Sequence, residues 1–408
     1  LRTAEKLLLL FAMSLLLPLL LAALTTDEAP YWLFQGHGLP MELVPYRVLW
    51  STPGRSIVDV STPEKRAAVE AGIASWRMRR ALSAVPVEEP CRGFDAVPLP
   101  LERAELPEQR DAARRSLPDS GLTRTQLQAL VDKVDGSRYF STIDALAGFG
   151  SRYSLTGNVV AARDYIAAEF AAAGLTVTRP QFTYNGTTQQ NIVGTITGSL
   201  LPDQFVVVGA HYDSLPRSAT NAPGAEDNAS GTAAVIELAR IFADERPQRT
   251  IVFVAFAAEE QGLVGSTRYV QSLTSTQRAN LAAALTMDMI AYTSDSELDV
   301  LLETSAFANG VADIQAAAAA EFTTLAVYRS LNPFGSDHVP FLNQSLPATL
   351  AIQNEWDTYP HYHRNTDTIA QVSQAQGTEV VKMQAAALGI LANPQPAAAT
   401  VRDWWTIY

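Results

Sequence analysis

Between residues 121 and 395 the apolar positions follow two alternating patterns. TRTQLQALVDKV, YFSTIDALAGF and GNVVAARDYIAAEFAAAGL place apolar residues at helical spacing. In the last of these, Val160, Tyr165, Ile166, Phe170 and Leu175 mark the apolar face, and Gly174 stands where a C-terminal cap belongs. TVTRPQFTY and QNIVGTIT read as strands, with Pro180 marking a sheet edge. QFVVVGA and RTIVFVAFA are short, unbroken apolar runs, as strands buried on both faces should be. GTAAVIELARIFAD and TQRANLAAAL read as helices, the second running into a strand over LAAALTMDMI. LDVLLE (strand), GVADIQAAAAAEF (helix), LAVYRS and PATLAIQ (strands) and TEVVKMQAAALGILA (helix) follow. Strands alternating with helices predict an α/β fold on a largely parallel sheet.

The flanks read differently. Residues 31–120 are rich in Pro and Arg, offer one short helix around Thr62 to Leu82, and read as a linker or N-terminal extension. At the start, Arg2 and Lys6 precede an apolar run from Leu7 to Leu24, and Asp27 and Glu28 follow it. That is the pattern of a signal peptide, and the run is also long enough for a membrane anchor. Basic residues before the run and acidic ones after it predict an extracytoplasmic protein, secreted, periplasmic or membrane-anchored. The expected organisation is 1–30 signal or anchor, 31–120 extension, 121–395 catalytic domain and 396–408 tail.

Composition narrows the chemistry. The net charge of -12 and the lack of a basic stripe argue against nucleic acid as a partner. A single cysteine, Cys91, excludes an intrachain disulfide and a zinc site built on thiolates. Any metal must therefore use His, Asp and Glu. In open α/β sheets ligands bind beyond the carboxyl ends of the strands. Here those ends carry His211-Tyr212-Asp213, Glu259-Glu260 and Asp288. Asp227 precedes a helix, and a late loop holds His361 and His363. Four of the five histidines, His211, His338, His361 and His363, fall in such polar punctuation of this region. Zinc accepts such a mixture of imidazole and carboxylate. Two ions about 3.5–4 Å apart require a bridging carboxylate, further ligands for each and a free base. Other readings stay open: Asp227 as a helix cap, Asp213 or Asp367 as turn residues, Asp337 and His338 as structural residues, and Tyr292, Phe334, Phe341 and Tyr362 as pocket wall or core.

GAHYDS, PGAEDNASGTAAVIELAR, FVAFAAEEQGLVGS, LTMDMI, SDHVPF and YHRNTDT occur in this order. With them the stretch from about 121 to 395 resembles the co-catalytic di-zinc aminopeptidases of metallopeptidase clan MH. That group includes bacterial leucyl-type aminopeptidases and is related to glutaminyl cyclases and glutamate carboxypeptidases. The resemblance implies a three-layer fold in which helices flank a mostly parallel mixed sheet. It implies an exopeptidase acting on peptides with a free N-terminus through two divalent ions, zinc above all. It makes His211 and Asp288 ligands of one ion, Glu260 and His363 ligands of the other, and Asp227 the bridge. Glu259 becomes the general base, and Asp213 fixes the ring of His211. Three alternatives accompany it. A glutaminyl cyclase works with one zinc, and His211 counts against it. A carboxypeptidase-like relative needs a basic group such as Arg329 or Arg364. A non-catalytic peptide-binding module would have lost ligands.

Overall fold

The computed structural model describes residues 31–35, 48–52, 55–59, 95–99, 109–110, 117–216, 221–333 and 335–395. The apolar run 7–24, the expected helix near 62–82, Phe334 and the tail 396–408 lie outside the described residues. Among the described residues no helix is long and apolar enough to cross a membrane. The chain divides into units 1–106 and 107–408.

In the first unit, β1 (Tyr31–Gln35), β2 (Val48–Thr52), β3 (Arg55–Asp59) and β4 (Asp95–Leu99) form an antiparallel sheet in the order β2-β3-β1-β4. The sequence pattern announces none of these strands. Each is short, and β1 pairs with β4 far along the chain, so no local repeat betrays them.

The second unit holds a nine-stranded sheet and a separate hairpin. Its strands are β5 (Gln109–Arg110), β6 (Thr176–Thr178), β7 (Gln181–Tyr184), β8 (Thr187–Gln190), β9 (Ile192–Ile196) and β10 (Leu201–His211). They continue with β11 (Arg249–Phe256), β12 (Leu281–Met287), β13 (Asp299–Glu303), β14 (Ala326–Ser330) and β15 (Ala348–Ile352). The helices are α1 (Arg124–Val131), α2 (Gly136–Ala147), α3 (Asn158–Ala172), α4 (Gly231–Ala243) and α5 (Val264–Ser272). After them come α6 (Ser275–Asn280), α7 (Asn309–Phe322), α8 (Val339–Leu342) and α9 (Gln374–Ala392).

The sheet runs β5-β14-β13-β15-β12-β10-β11-β9-β6. Its centre, β15-β12-β10-β11, is parallel, and antiparallel pairings lie outside it. Alternate residues of β10 serve opposite faces. Val206, Val208 and Ala210 enter the core under α2, α4, α7 and α9. Phe205 and Val207 enter a second core with Val270, Phe341 and Leu342. The expected three layers follow from this alternation.

Local readings needed adjustment at some points. On α3 the buried face is Val159, Ala162, Ile166, Ala167 and Phe170, while Val160 is exposed. Gly174 follows that helix with φ +83°, the left-handed cap the sequence predicts. Pro180 separates β6, at the sheet edge, from the β7–β8 hairpin. Helix α6 stops at Asn280 because LAAALTM is taken up as β12 between β10 and β15.

Candidate metal centre

The polar residues gather where the parallel strands end. His211 closes β10, Glu259 and Glu260 follow β11, and Asp288 follows β12. Asp227 lies in the turn Ala225–Ser230 before α4, and His363 in the loop after β15. All six are buried. The loops bend sharply to present them. Ala258 (φ +57°), Met289 (φ +48°) and His363 (φ +56°) adopt left-handed backbone at or beside a site residue. For residues other than glycine each such position costs on the order of 1–3 kcal/mol, a strain typical of functional sites. Gly224 (φ +56°) cannot be replaced cheaply. A Cβ there would meet the Asp227 carbonyl and, at 2.7 Å, the Cβ of Ser214.

Asp227 stands between the two imidazoles. Its Oδ1 lies 3.5 Å from His211 Nε2 and its Oδ2 lies 3.1 Å from His363 Nε2. Ser230, not Asp227, is the residue before α4, so capping does not explain the aspartate. On one side, His211 Nε2 is 3.2 Å from Asp288 Oδ1 and 3.8 Å from Glu259 Oε2. On the other, His363 Nε2 is 3.0 Å from Glu260 Oε2. Ligand atoms of His211, Glu259 and Asp288 lie within 4.8 Å of one another, as do those of His211, Asp227 and Glu260. His361, the sequence neighbour, turns away to Thr366 Oγ1 at 2.9 Å.

The electrostatics of this cluster call for cations. Burial alone would depress His211, but Asp288 and Glu259 hold it well above the usual imidazole range. His363 is likewise raised to about 10 against its burial, chiefly by Glu260. Burial pushes Glu260 up to about 7, with Asp227 adding to the rise. Burial also drives Glu259 well above the carboxylate range; His211 opposes the rise and Glu260 reinforces it. Four carboxylates and two imidazoles therefore converge in one buried space. Glu260 Oε1 and His363 Nδ1 have no hydrogen-bond partner among the described residues. Imidazole nitrogen and carboxylate oxygen in this number are a donor set for borderline divalent metals, so the residues fit such ions.

A surrounding layer holds the candidate ligands in place. Asp213 accepts from the amides of Glu259 (3.1 Å) and Glu260 (3.4 Å) and from Ser154 Oγ (3.1 Å). The expectation that its carboxylate fixes the His211 ring needs refinement. The nearest contact of His211 Nδ1 is the Asp213 carbonyl at 3.2 Å, and the carboxylate lies at 3.7 Å. β10 ends at His211, so the turn brings the carbonyl in first and frees the carboxylate to clamp the glutamate pair.

Three residues of this layer escape sequence reasoning. Asp367, read as a turn residue, accepts from the amides of Glu226 (2.9 Å) and Asp227 (3.0 Å) and from Tyr359 OH (2.8 Å). Glu226 is wholly buried and accepts from the Ala291 amide at 2.9 Å. Arg152, also fully buried, donates to the carbonyls of Tyr212 (2.8 Å), Leu146 (3.2 Å), Pro223 and Gly224 (2.8 Å). It ties the His211–Asp213 segment to the Gly224–Asp227 turn. Burial lowers its pKa to about 10, with Asp367, Asp227, Asp213 and Glu260 opposing the drop, so it stays charged at neutral pH. Of the aromatic candidates, Tyr362 lines the cavity and stacks on His363 at 3.7 Å, whereas Phe341 is core. Asp337 and His338 are buried beside the site.

Comparison with known proteins agrees with this geometry. Residues 191–388 match the model of Peptidase family M28. A probable zinc metalloprotease of Pyricularia oryzae is 39% identical over 203 residues, 44% of this chain and 39% of that protein. One of Leptosphaeria maculans is 30% identical over 298 residues, 60% of this chain and 69% of its own length. The fold is shared with the LapA aminopeptidase of Legionella pneumophila at a TM-score of 0.63 and 18% identity, covering 90% of this chain and 100% of that one. The matches span 39% to 46% of the length of the Pyricularia and Pyrenophora relatives. Buried carboxylates and histidines at the ends of parallel strands, in a sheet of this order and with these similarities, place the chain in peptidase family M28.

Proposed function

We propose that the chain is an aminopeptidase that removes N-terminal residues from peptides with two zinc ions. The observation that supports it most is Asp227, one oxygen toward each of two imidazoles, beside a glutamate pair in which Glu260 lies against His363 and Glu259 is nearer His211. His211 and Asp288 would hold one ion, Glu260 and His363 the other, and Asp227 both. Ions so placed lower the pKa of a bound water and polarise a carbonyl oxygen.

The remaining chemistry belongs to the chain's own residues. Glu259 takes the proton of the attacking water and returns it to the leaving amine. In the metal-free protein its carboxyl already favours holding a proton, through burial and the charge of Glu260. Asp213 keeps that carboxylate aimed by binding its amide and that of its neighbour. His211 stands among the carboxylates and is available as a ligand for a second ion, which favours this reading over a one-zinc glutaminyl cyclase. The charge pattern around residues 7–24 supports an extracytoplasmic location.

A panel of aminoacyl nitroanilides and N-acetylated peptides, assayed with and without a chelator, tests the proposal. Cleavage of free-amine substrates only, abolished by the chelator and restored by zinc, is expected. Equal cleavage of the acetylated peptides would defeat it.

A further inference from the structure

We infer that Glu226 is a positioning residue for one of the two ions, the one assigned to His211 and Asp288, and does not govern the other. The inference rests on the two-zinc reading and adds a residue to it. It begins with the stretch EDNASGT, residues 226–232, of which that reading uses Asp227 alone. Glu226, Asn228, Ser230 and Thr232 are wholly buried. Burying such polar groups costs free energy unless each finds a partner.

Besides bonds within the turn itself, their partners are backbone groups of the two segments that carry His211 and Asp288. Glu226 Oε1 accepts from the Ala291 amide at 2.9 Å. Ser230 Oγ accepts from the Ile290 amide at 3.2 Å. Asn228 Oδ1 accepts from the Met289 amide at 3.3 Å, and Asn228 Nδ2 donates to the Met287 carbonyl at 3.0 Å. Three side chains of the turn thus grip the backbone on both sides of Asp288. Gly231 permits the close approach, since a Cβ there would meet the Met287 carbonyl oxygen at 2.5 Å. Thr232 Oγ1 donates to the His211 carbonyl at 2.7 Å. The turn that carries Asp227 therefore assembles all three candidate ligands of that ion.

The grip is one-sided. Among the described residues, none of these four side chains bonds the backbone of Glu260 or His363, and the Glu260 amide goes to Asp213 at 3.4 Å. The other bonds of Asp288 lead away from Asp227. Its amide donates to the Ala351 carbonyl at 3.1 Å, and its Oδ2 accepts from Ser336 Oγ at 2.8 Å. The placing of Asp227 and Asp288 about His211 Nε2, at 3.5 and 3.2 Å, rests on the clamp. Glu226 is its far end. Met289 turns the chain with φ +48°, and the bond to the Ala291 amide pins the chain beyond that bend. Partners that orient metal ligands typically contribute about 10–100-fold in metal affinity.

The test is zinc affinity, titrated against a competing chelator in the full chain and its Glu226→Gln, Glu226→Ala and Ser230→Ala variants. Glutamine keeps an acceptor oxygen for the Ala291 amide, so Glu226→Gln should bind both ions like the wild type. Glu226→Ala should weaken one ion on the order of 10–100-fold and leave the other unchanged. Cobalt loading followed by proton NMR tells which ion it is. The ring N–H of His211, sheltered by the Asp213 carbonyl at 3.2 Å, should give a hyperfine-shifted signal that needs more cobalt in Glu226→Ala. Ser230→Ala removes one bond of the clamp and no charge. It should weaken the same ion by a smaller factor, and it decides the matter if Glu226→Ala does not fold. Both ions weakened alike, neither weakened, or Gln as harmful as Ala would each overturn the inference while the two-zinc reading survives. An unchanged Ser230→Ala beside an unfolded Glu226→Ala would overturn it too. A wild type that binds one zinc would defeat the two-zinc reading and this inference with it.

Discussion

Replacing Arg152 by Met should destabilise the protein by about 3–5 kcal/mol, the usual cost of removing one partner from a buried charged network. The magnitude follows from its surroundings. The guanidinium donates to the carbonyls of Leu146, Tyr212, Pro223 and Gly224 and is wholly buried. Methionine fills much of the space but leaves those carbonyls without their donor. Each unsatisfied buried group costs about 1–3 kcal/mol, and shared relaxation keeps the sum below simple addition. The charge matters as well as the bonds. Arg152 is the cation facing Asp367, Asp227, Asp213 and Glu260. Without it the metal-free carboxylates repel with less compensation, so the loss should be larger in the apo protein than in the zinc-loaded one. Urea unfolding of both forms, followed by tryptophan fluorescence and circular dichroism, measures this. Arg152→Lys should fall between, since an ammonium offers three donors and no planar fork. An Arg152→Met protein within about 0.5 kcal/mol of wild type in the apo form, a margin typical of surface changes, would refute the reasoning.

Further outcomes follow from the same geometry. Asp227→Ala should lower the zinc content below two per chain by mass spectrometry of the dialysed protein, because both ions lose a ligand; two retained zincs would contradict the bridge. Metal binding at pH 7 should release at least one proton, since His363 is raised to about 10 and must lose its proton to ligate. Glu260, raised to about 7, adds a fraction more, so affinity should weaken as pH falls through 7. Calorimetry in buffers of different ionisation enthalpy reads that release, and a buffer-independent heat would refute it. Asp213→Ala should lower kcat more than it raises KM, because it unclamps the Glu259–Glu260 amides without touching substrate; an effect on KM alone would remove that role.

The candidate ligands stand out in the sequence because the chemistry restricts them. With one cysteine in the chain, imidazoles and carboxylates had to supply any site, and they fall where apolar strands stop. His363 was separable from His361 only through the motif resemblance, since both share one loop. The supporting layer was not legible, for a physical reason. Arg152 acts through backbone carbonyls far along the chain, and carbonyls carry no sequence signature. Asp367 reaches amides on the Glu226–Asp227 turn, so its neighbours suggest only a turn. Glu226 looks like a solvated partner of Asp227 until Ala291 is brought to it. Central strands were clear because burial on both faces leaves unbroken apolar runs. The short strands β1–β4 and the exact face of α3 depend on tertiary partners, and propensity alone does not fix them.

The most direct test of the account is Glu259→Gln. The substitution keeps size and a hydrogen-bonding oxygen but removes the proton acceptor. The variant should bind two zinc ions per chain like the wild type. Its kcat on a free-amine substrate should fall about 10²–10⁴-fold, the contribution of a positioned general base. Turnover within tenfold of wild type at full zinc occupancy would contradict the division of labour between Glu259 and Glu260.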